Sequence, residues 1–314
     1  MKSRAVMLDR ASLDRGDLDL QPLLDLPLKW RLFDKTAPAQ LDTHLDDAQI
    51  ILTNKVVLDR NTLLRHREIR LICVLATGMN NIDLEAAQDL GIQVTNVTGY
   101  GTSSVVQHVF MLMLQLVRKQ PQYRRAVASG AWSRSEQFCL LDYPISDLAS
   151  LTLGIIGYGE LGHAVAQLAE AFGMSVLISE RKGQTPRPGR LRFDEVITTA
   201  DIISLHCPLT PETTNLIDAQ VLQAMRPDAW LINTARGGLV DENALADALD
   251  NGSIAGAALD VLSEEPPPAD HPLLIQPRDN LIITPHIAWA ARSARQKIIE
   301  LTAENIAAFL QQDR

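Results

Sequence analysis

LGIIGYGELGHAVAQLAEAFGMSVLISE, residues 153–180, is the stretch whose reading decides the fold. Leu153 to Gly157 is a short apolar run rich in β-branched residues, Leu161 to Phe172 spaces its apolar residues as a helix does, and Val176 to Glu180 is a second strand. The turn between the first two, Gly157-Tyr158-Gly159-Glu160-Leu161-Gly162, fits G-x-G-x-x-G. Such a turn alone is a weak signal, since glycine can serve a purely structural bend. Here it joins a strand to a helix, and the acidic Glu180 closes the next strand 23 residues after Gly157, the setting of a dinucleotide-binding turn. Gly157 permits the tight bend, Gly159 lets the backbone approach a pyrophosphate, and Gly162 allows the helix to lie close on the strand. The helix N-terminus supplies free N–H groups for the phosphates. Glu180 accepts hydrogen bonds from ribose hydroxyls and repels a 2′-phosphate, which favours NAD over NADP. Arg181 and Lys182 work the other way, although two solvated surface charges are the stronger reading of that pair.

Downstream, DIISLH (201–206), AWLINT (229–234), AGAALDV (255–261) and LIIT (281–284) are four more apolar runs separated by helical segments, of which Glu242 to Leu249 is the clearest. Six strands with intervening helices predict an α/β, Rossmann-type doubly wound parallel sheet. Upstream, AVML (5–8), KWRLF (29–33), QIILT (49–53), RLICVL (70–75) and IQVTNV (92–97) alternate with helix-like stretches at Leu58–His66 and Asp83–Leu90, which predicts a smaller α/β domain on its own parallel sheet. Gly99, Gly101 and the Ser103–Ser104 pair break the chain and cap a helix, Val105 to Arg118, that is apolar on almost every face. Such a helix must be buried all round, between the domains or at a subunit interface. Residues 132–147 are irregular. Ser293 to Leu310 is amphipathic and lies beyond the sixth strand, placed to cross back to the first domain.

The chain has 314 residues, enough for two domains, and 46% hydrophobic residues, enough to build a core in each. Its net charge of −9 provides no positive field for nucleic acid or anionic lipid, so the expected partner is a small molecule. Cys73, Cys139 and Cys207 are scattered, odd in number and without metal-ligand spacing, which predicts reduced thiols, no structural zinc and a cytoplasmic setting. The four-residue apolar run before Asp9 is too short for a signal peptide, and the unbroken run Val109–Leu114 is far below a membrane span.

Three clusters follow strands. Asn233-Thr234-Ala235-Arg236-Gly237-Gly238 offers a guanidinium that pairs with a carboxylate through two parallel bonds. Asp260-Val261-Leu262-Ser263-Glu264-Glu265-Pro266 and Thr284-Pro285-His286-Ile287-Ala288-Trp289 add acids and a histidine. Singly, Glu264 and Glu265 read as solvated charges and His286 as a structural histidine. Together, at the edge where α/β sheets hold ligands, they read as a site.

At this point the sequence resembles the D-isomer-specific 2-hydroxyacid dehydrogenases over essentially its whole length, through GYGELG, HCPLTPETTNLI (206–217), NTARGGLVDE (233–242), GAALDVLSEEP (256–266) and PHIAW (285–289). VTGYGTSSVVQH (97–108), SERKG (179–183) and HIAWAARSARQ (286–296) look most like the glycerate dehydrogenase, or hydroxypyruvate reductase, branch of that family. The resemblance implies Arg236 as the substrate-binding arginine, Glu265 as the acidic partner and His286 as the acid/base. It implies Asp260 at the nicotinamide, with His206, Pro208, Thr234, Ala235, Arg236, His286 and Arg181 as further cofactor contacts. The Ala76-Thr77-Gly78 turn is implied to hold the substrate carboxylate by its backbone N–H groups. It further implies a flavodoxin-like substrate domain of residues 1–98 and 289–314, a cofactor domain of residues 99–288, NAD as cofactor, and a homodimer built around the 105–118 helix. Glu180 stands where many members have Asp, and Gln107 replaces a common Glu.

Hydride transfer to a ketone leaves negative charge on oxygen, so a group that holds a proton near neutral pH must deliver one, and histidine suits that need without any metal. A carboxylate beside the ring favours imidazolium and orients it, and Arg236 polarises the carbonyl as charge develops. The expected substrate is a small 2-keto acid, hydroxypyruvate before glyoxylate, with formate or a phosphorylated hydroxy acid still open. The rival from another class is an NAD-sensing binding protein on the same fold.

Overall fold

Central strands built mainly of apolar residues are what a parallel sheet covered on both faces demands, and this chain supplies them twice. In the computed structural model, which describes residues 3–312, they form two separate sheets. One lies in a unit made of Met1–Gly101 and Ala290–Arg314, the other in Thr102–Trp289.

In the first unit, β1 (Arg4–Met7), β2 (Lys29–Leu32), β3 (Ile50–Thr53), β4 (Leu71–Val74) and β5 (Gln93–Thr95) run parallel in the order β2-β1-β3-β4-β5. That is the flavodoxin-like order. β3 and β4 are buried along their whole length. Asp59 and Asp83 cap the helices that precede β4 and β5, each accepting an N–H three residues on. The terminal helix, Arg292–Gln312, belongs to this unit and buries Ala294, Ile298, Thr302 and Ile306, four residues apart, with Ile299 and Ala303 beside them. Its first turn is tied down by Arg295, which forks onto Asp17 at 2.7 and 2.9 Å and also donates to the Leu13 carbonyl. That guanidinium holds the Asp17 carboxyl well below the usual range.

In the second unit, β6 (Thr152–Ile156), β7 (Ser175–Ser179), β8 (Ile202–Leu205), β9 (Trp230–Asn233), β10 (Gly256–Leu259) and β11 (Leu281–Ile283) are parallel, in the order β11-β10-β9-β8-β6-β7. All six expected strands are present, β10 being shorter than 255–261. Where a doubly wound sheet has a further strand beside β7, this chain has one residue. Leu191 bridges Ser179, donating its N–H to Ile178 and accepting from that of Glu180. The strand order reverses between β8 and β7, at β6, which puts the turn after β6 in the ligand crevice.

The apolar helix spans Thr102–Val117 and starts three residues before its expected Val105. Its greasiness is largely explained inside its own unit, rather than by a neighbouring domain or subunit alone. Val105, Val109, Leu112, Met113 and Leu116 pack in one cluster with Leu153 and Ile155 of β6, Ile232 of β9, Ala258 of β10 and Val165 of the helix Glu160–Ala171. One strip stays open, with Met111 37% exposed. Ile298 of the terminal helix has no exposed surface. Its replacement by Ala is expected to destabilise the chain by about 2–5 kcal/mol, read as a fall in the urea midpoint. An unchanged midpoint would show that the helix adds nothing to the first unit's core.

Candidate active site

The turn after β6 is built as close packing requires. Gly157 has φ +95°, and a Cβ on it would lie 2.4 Å from the Cys207 nitrogen at the end of β8. A Cβ on Gly162 would lie 2.1 Å from the Gly157 carbonyl oxygen, so the helix can approach the strand only without one. Gly159 faces open space. It is the N-cap of the helix Glu160–Ala171 and offers no side-chain cap, so the first N–H groups of that helix are left to a ligand. Tyr158 and Leu161 are half-buried, and the Glu160 carboxylate accepts from the Thr102 hydroxyl. Next along the crevice, His206 follows β8 directly, its ring nitrogen 2.9 Å from the Ser204 hydroxyl, and burial pushes the imidazole down to about 4. It is therefore neutral at physiological pH. Pro208 is exposed. The Thr234 hydroxyl, just past β9, is buried with no hydrogen-bond partner among the described residues. An orphaned buried hydroxyl, an uncapped helix and a glycine at its cap that faces open space fit a dinucleotide lying along this edge.

Glu180, at the end of β7, is 4% exposed. Its carboxylate is already held: Oε2 accepts from Arg187 Nε at 2.6 Å and from the Arg187 backbone at 3.3 Å, and Oε1 accepts from Arg187 Nη2 at 2.7 Å and from the Arg181 backbone at 3.0 Å. The Arg187 guanidinium, with these amides, holds the carboxyl down to about 2. The side chains of Arg181 and Lys182 do not do this. Arg181 is exposed, and Lys182 reaches Asp218 at 3.5 Å. The cations on Glu180 are Arg187 and Arg190, which no sequence motif singles out.

Arg236, Glu265 and His286 follow the neighbouring strands β9, β10 and β11. Asn233 clasps the Arg236 turn, accepting from the Ala235 N–H and donating to the Arg236 carbonyl. Gly237 makes the next step possible. Its Cβ would fall 1.9 Å from the Leu262 carbonyl carbon, so the turns after β9 and β10 meet backbone to backbone only because it is glycine. The Arg236 guanidinium bonds its neighbour's carbonyl and pairs with no carboxylate among the described residues. Glu265 Oε1 accepts from the Leu262 N–H at 2.9 Å, and its Oε2 lies 2.5 Å from His286 Nδ1. The pair is partly exposed, so Nε2 of the ring is the nitrogen left for a substrate.

His286 has φ +54°, a left-handed conformation that costs a non-glycine residue about 1 kcal/mol or more. It is held there from every side. Its N–H donates to the Asp260 carbonyl at 2.8 Å, and its own carbonyl accepts from the Trp289 indole. The next two N–H groups, of Ile287 and Ala288, both donate to the Asp260 carboxylate. That carboxylate, 1% exposed, also takes the Thr284 hydroxyl at 2.5 Å and faces His108 Nε2 at 3.3 Å. Burial works to raise the Asp260 carboxyl, but His108, Thr284 and the two amides outweigh it and leave it lowered. Ser104 adds a bond to the Ala288 carbonyl. Sequence reasoning missed this anchoring by Asp260, Ser104 and His108, although His108 sits in a motif already marked. In the first unit, the Ala76-Thr77-Gly78 turn follows β4 and is pinned by Asn96, which donates to the Thr77 carbonyl, and by the Val97 carbonyl, which accepts the Thr77 hydroxyl.

Residues 110–288 match the family model of the D-isomer specific 2-hydroxyacid dehydrogenase NAD binding domain. The chain is 42% identical over 311 residues to a glycerate dehydrogenase of Methylorubrum extorquens, covering 99% of this chain and 97% of the relative. It is 36% identical over 314 residues to a hydroxypyruvate reductase of Blautia hydrogenotrophica, covering 98% and 97%. A D-lactate dehydrogenase from Aquifex aeolicus, solved with NAD and lactic acid, superposes with a TM-score of 0.84 at 29% identity over 99% of this chain and 96% of the other. The protein is an NAD-dependent oxidoreductase. It belongs to the D-isomer-specific 2-hydroxyacid dehydrogenases.

Asp260→Asn leaves four donors facing a neutral group and is expected to cost about 1.5–3 kcal/mol. A carboxyl lowered on folding stabilises above its unfolded value near 4 and loses that contribution as pH falls through the folded one. Urea unfolding of wild type and variant should therefore differ by a constant amount from about pH 5 to 8, and the gap should begin to close only below about pH 4. A gap that persists into acid would mean that the charge of Asp260 is not what anchors the turn.

Proposed function

We propose that this chain reduces small 2-keto acids, hydroxypyruvate before glyoxylate, to the D-hydroxy acid with NADH, and runs the reverse oxidation. The carrying observation is the 2.5 Å His286–Glu265 pair beside an arginine turn whose guanidinium has no carboxylate partner among the described residues. The bound nicotinamide supplies the hydride. His286, as imidazolium, delivers the proton from Nε2 to the carbonyl oxygen as charge builds there, and in the oxidative direction the neutral ring removes the hydroxyl proton. Glu265 holds Nδ1–H, fixing the tautomer and orienting the ring. Arg236 binds the substrate carboxylate and polarises its carbonyl, and the Ala76-Thr77-Gly78 turn of the first unit offers backbone N–H groups of the kind that bind a carboxylate. Glu180 is the ribose-side acid, and Asp260 stands on the nicotinamide side.

An NADH-oxidation screen over a panel of 2-keto acids at neutral pH is expected to show the highest kcat/KM with hydroxypyruvate. Stoichiometric NADH binding with no turnover on any of them would instead establish the sensor reading. His286→Gln is expected to lower kcat by about 100-fold to 10,000-fold with NADH affinity retained. In Glu265→Gln, which removes the charge facing Nδ1, kcat should fall while the KM for the keto acid stays within about threefold. A wild-type kcat in either variant removes that residue from the mechanism.

The same reading extends to a homodimer. Phe138 and Leu141 are 89% and 83% exposed in the irregular segment after the long helix, with Val127 and Ile145 also open, and an apolar surface of this kind favours a second copy as its cover. Light scattering should give about twice the 34.6 kDa chain mass, and Phe138→Asp with Leu141→Asp should shift it toward monomer. We place the protein in the cytoplasm, in keeping with three free cysteines and no helix among the described residues long and apolar enough to cross a membrane.

A further inference from the structure

We propose that Arg187 is a coenzyme-selecting residue: by forking onto Glu180 it cancels the acid's repulsion of a 2′-phosphate, and it stands ready to pair with that phosphate, so that the site takes NADP(H) alongside NAD(H). The inference rests on the reading of Glu180 as the ribose-side acid.

An ionised carboxylate has about four acceptor positions. In Glu180 each oxygen already accepts two hydrogen bonds, three of the four from Arg187 and one from the Arg181 backbone. An acid in this state neither presents a bare negative charge nor has a spare lone pair for a ribose hydroxyl, unless Arg187 gives one up. A second guanidinium is close. Arg190 Nη1 lies 3.9 Å from Glu180 Oε1, and its carbon sits 6.0 Å from the ring centre of Tyr158, in the glycine turn. Two arginines therefore flank the acid, Arg190 on the side of the phosphate-binding turn, and a guanidinium is suited to bidentate pairing with a phosphate.

The loop that carries them is built to hold this position. Leu191 returns to the edge of β7 as a single bridge, so residues 181–190 must fold back over Glu180. Gly183 and Gly189 turn it at φ +78° and +77°. Pro186 and Pro188 bracket Arg187 and restrict its backbone. The Arg187 side chain is nonetheless 57% exposed, free to exchange Glu180 for another anion without unpacking a core.

Calorimetric titration with ADP-ribose and with 2′-phospho-ADP-ribose, which lack the nicotinamide, tests this on wild type, Arg187→Gln, Arg187→Lys and Glu180→Gln. In Arg187→Gln the affinity for the phosphorylated ligand should fall about tenfold or more, while that for ADP-ribose stays within about threefold. Arg187→Lys, which keeps the charge but not the fork, should fall between. Equal changes for both ligands, or none, in Arg187→Gln overturn the proposal. If Glu180→Gln alters the ratio of the two affinities while Arg187→Gln does not, the ribose assignment stands and only the role of Arg187 falls. If Glu180→Gln alters neither affinity, the ribose assignment itself is wrong.

Discussion

The Asp260 carboxylate gathers donors from three places, the His108 ring on the Thr102–Val117 helix, the Thr284 hydroxyl past β11, and the N–H groups of Ile287 and Ala288. A buried charge is tolerated only when it is fully bonded, so these groups are not free to move independently. The residue between them is His286, in a left-handed conformation that nothing in its own chemistry favours. The His286 ring is thus placed by an acid that itself follows the neighbouring strand β10. The bonds to Asp260 offset the local strain, and the same bonds fix the end of the apolar helix through Ser104 and Ala288.

A second constraint works through absence of side chains. At the ends of β6 and β9, would-be Cβ atoms of Gly157 and Gly237 overlap the backbone of Cys207 and Leu262. Parallel strands deliver their carboxyl ends to one edge, but turns leaving adjacent strands collide unless one is stripped to the backbone. Glycine at these two points lets the turns after β6 and β8, and after β9 and β10, close on each other. Through Gly237 the arginine turn is seated against the turn that carries Glu265. Side-chain bulk there would separate the guanidinium from the carboxylate–imidazole pair.

Much of this was legible in the residues. Buried parallel strands are nearly continuous runs, so all eleven could be placed from composition alone, with ends uncertain by a residue or two. G-x-G-x-x-G falls on the turn between a strand and a helix as its setting in the sequence implies, because the apolar run before it and the helical spacing after it constrain it together. What escaped shares one property. The Arg187–Glu180 fork, the Asp260 anchor and the covering of the 102–117 helix by its own sheet depend on how a loop or helix returns to a surface, and periodicity carries no information on return paths. Arg181 and Lys182 adjoin Glu180 in sequence, yet the guanidinium on its carboxylate comes from seven residues further on, because Leu191 takes the place of a whole strand.

The two ends of the sheet edge treat charge in opposite ways. At β7 the acid is saturated by its own chain, every oxygen doubly bonded and the compensating arginine drawn from a neighbouring loop. At β9 and β10 the arginine pairs with no carboxylate among the described residues, and Glu265, which also accepts from the Leu262 N–H, faces His286 in partial contact with solvent. An end that is internally neutral suits a large ligand held by many contacts, since discrimination there is a matter of small adjustments to an already satisfied group. An end with an uncompensated cation suits a small anion that must bring its own negative charge. The edge is therefore graded, and the smaller the ligand it meets, the more of the binding depends on charge left unpaired by the fold.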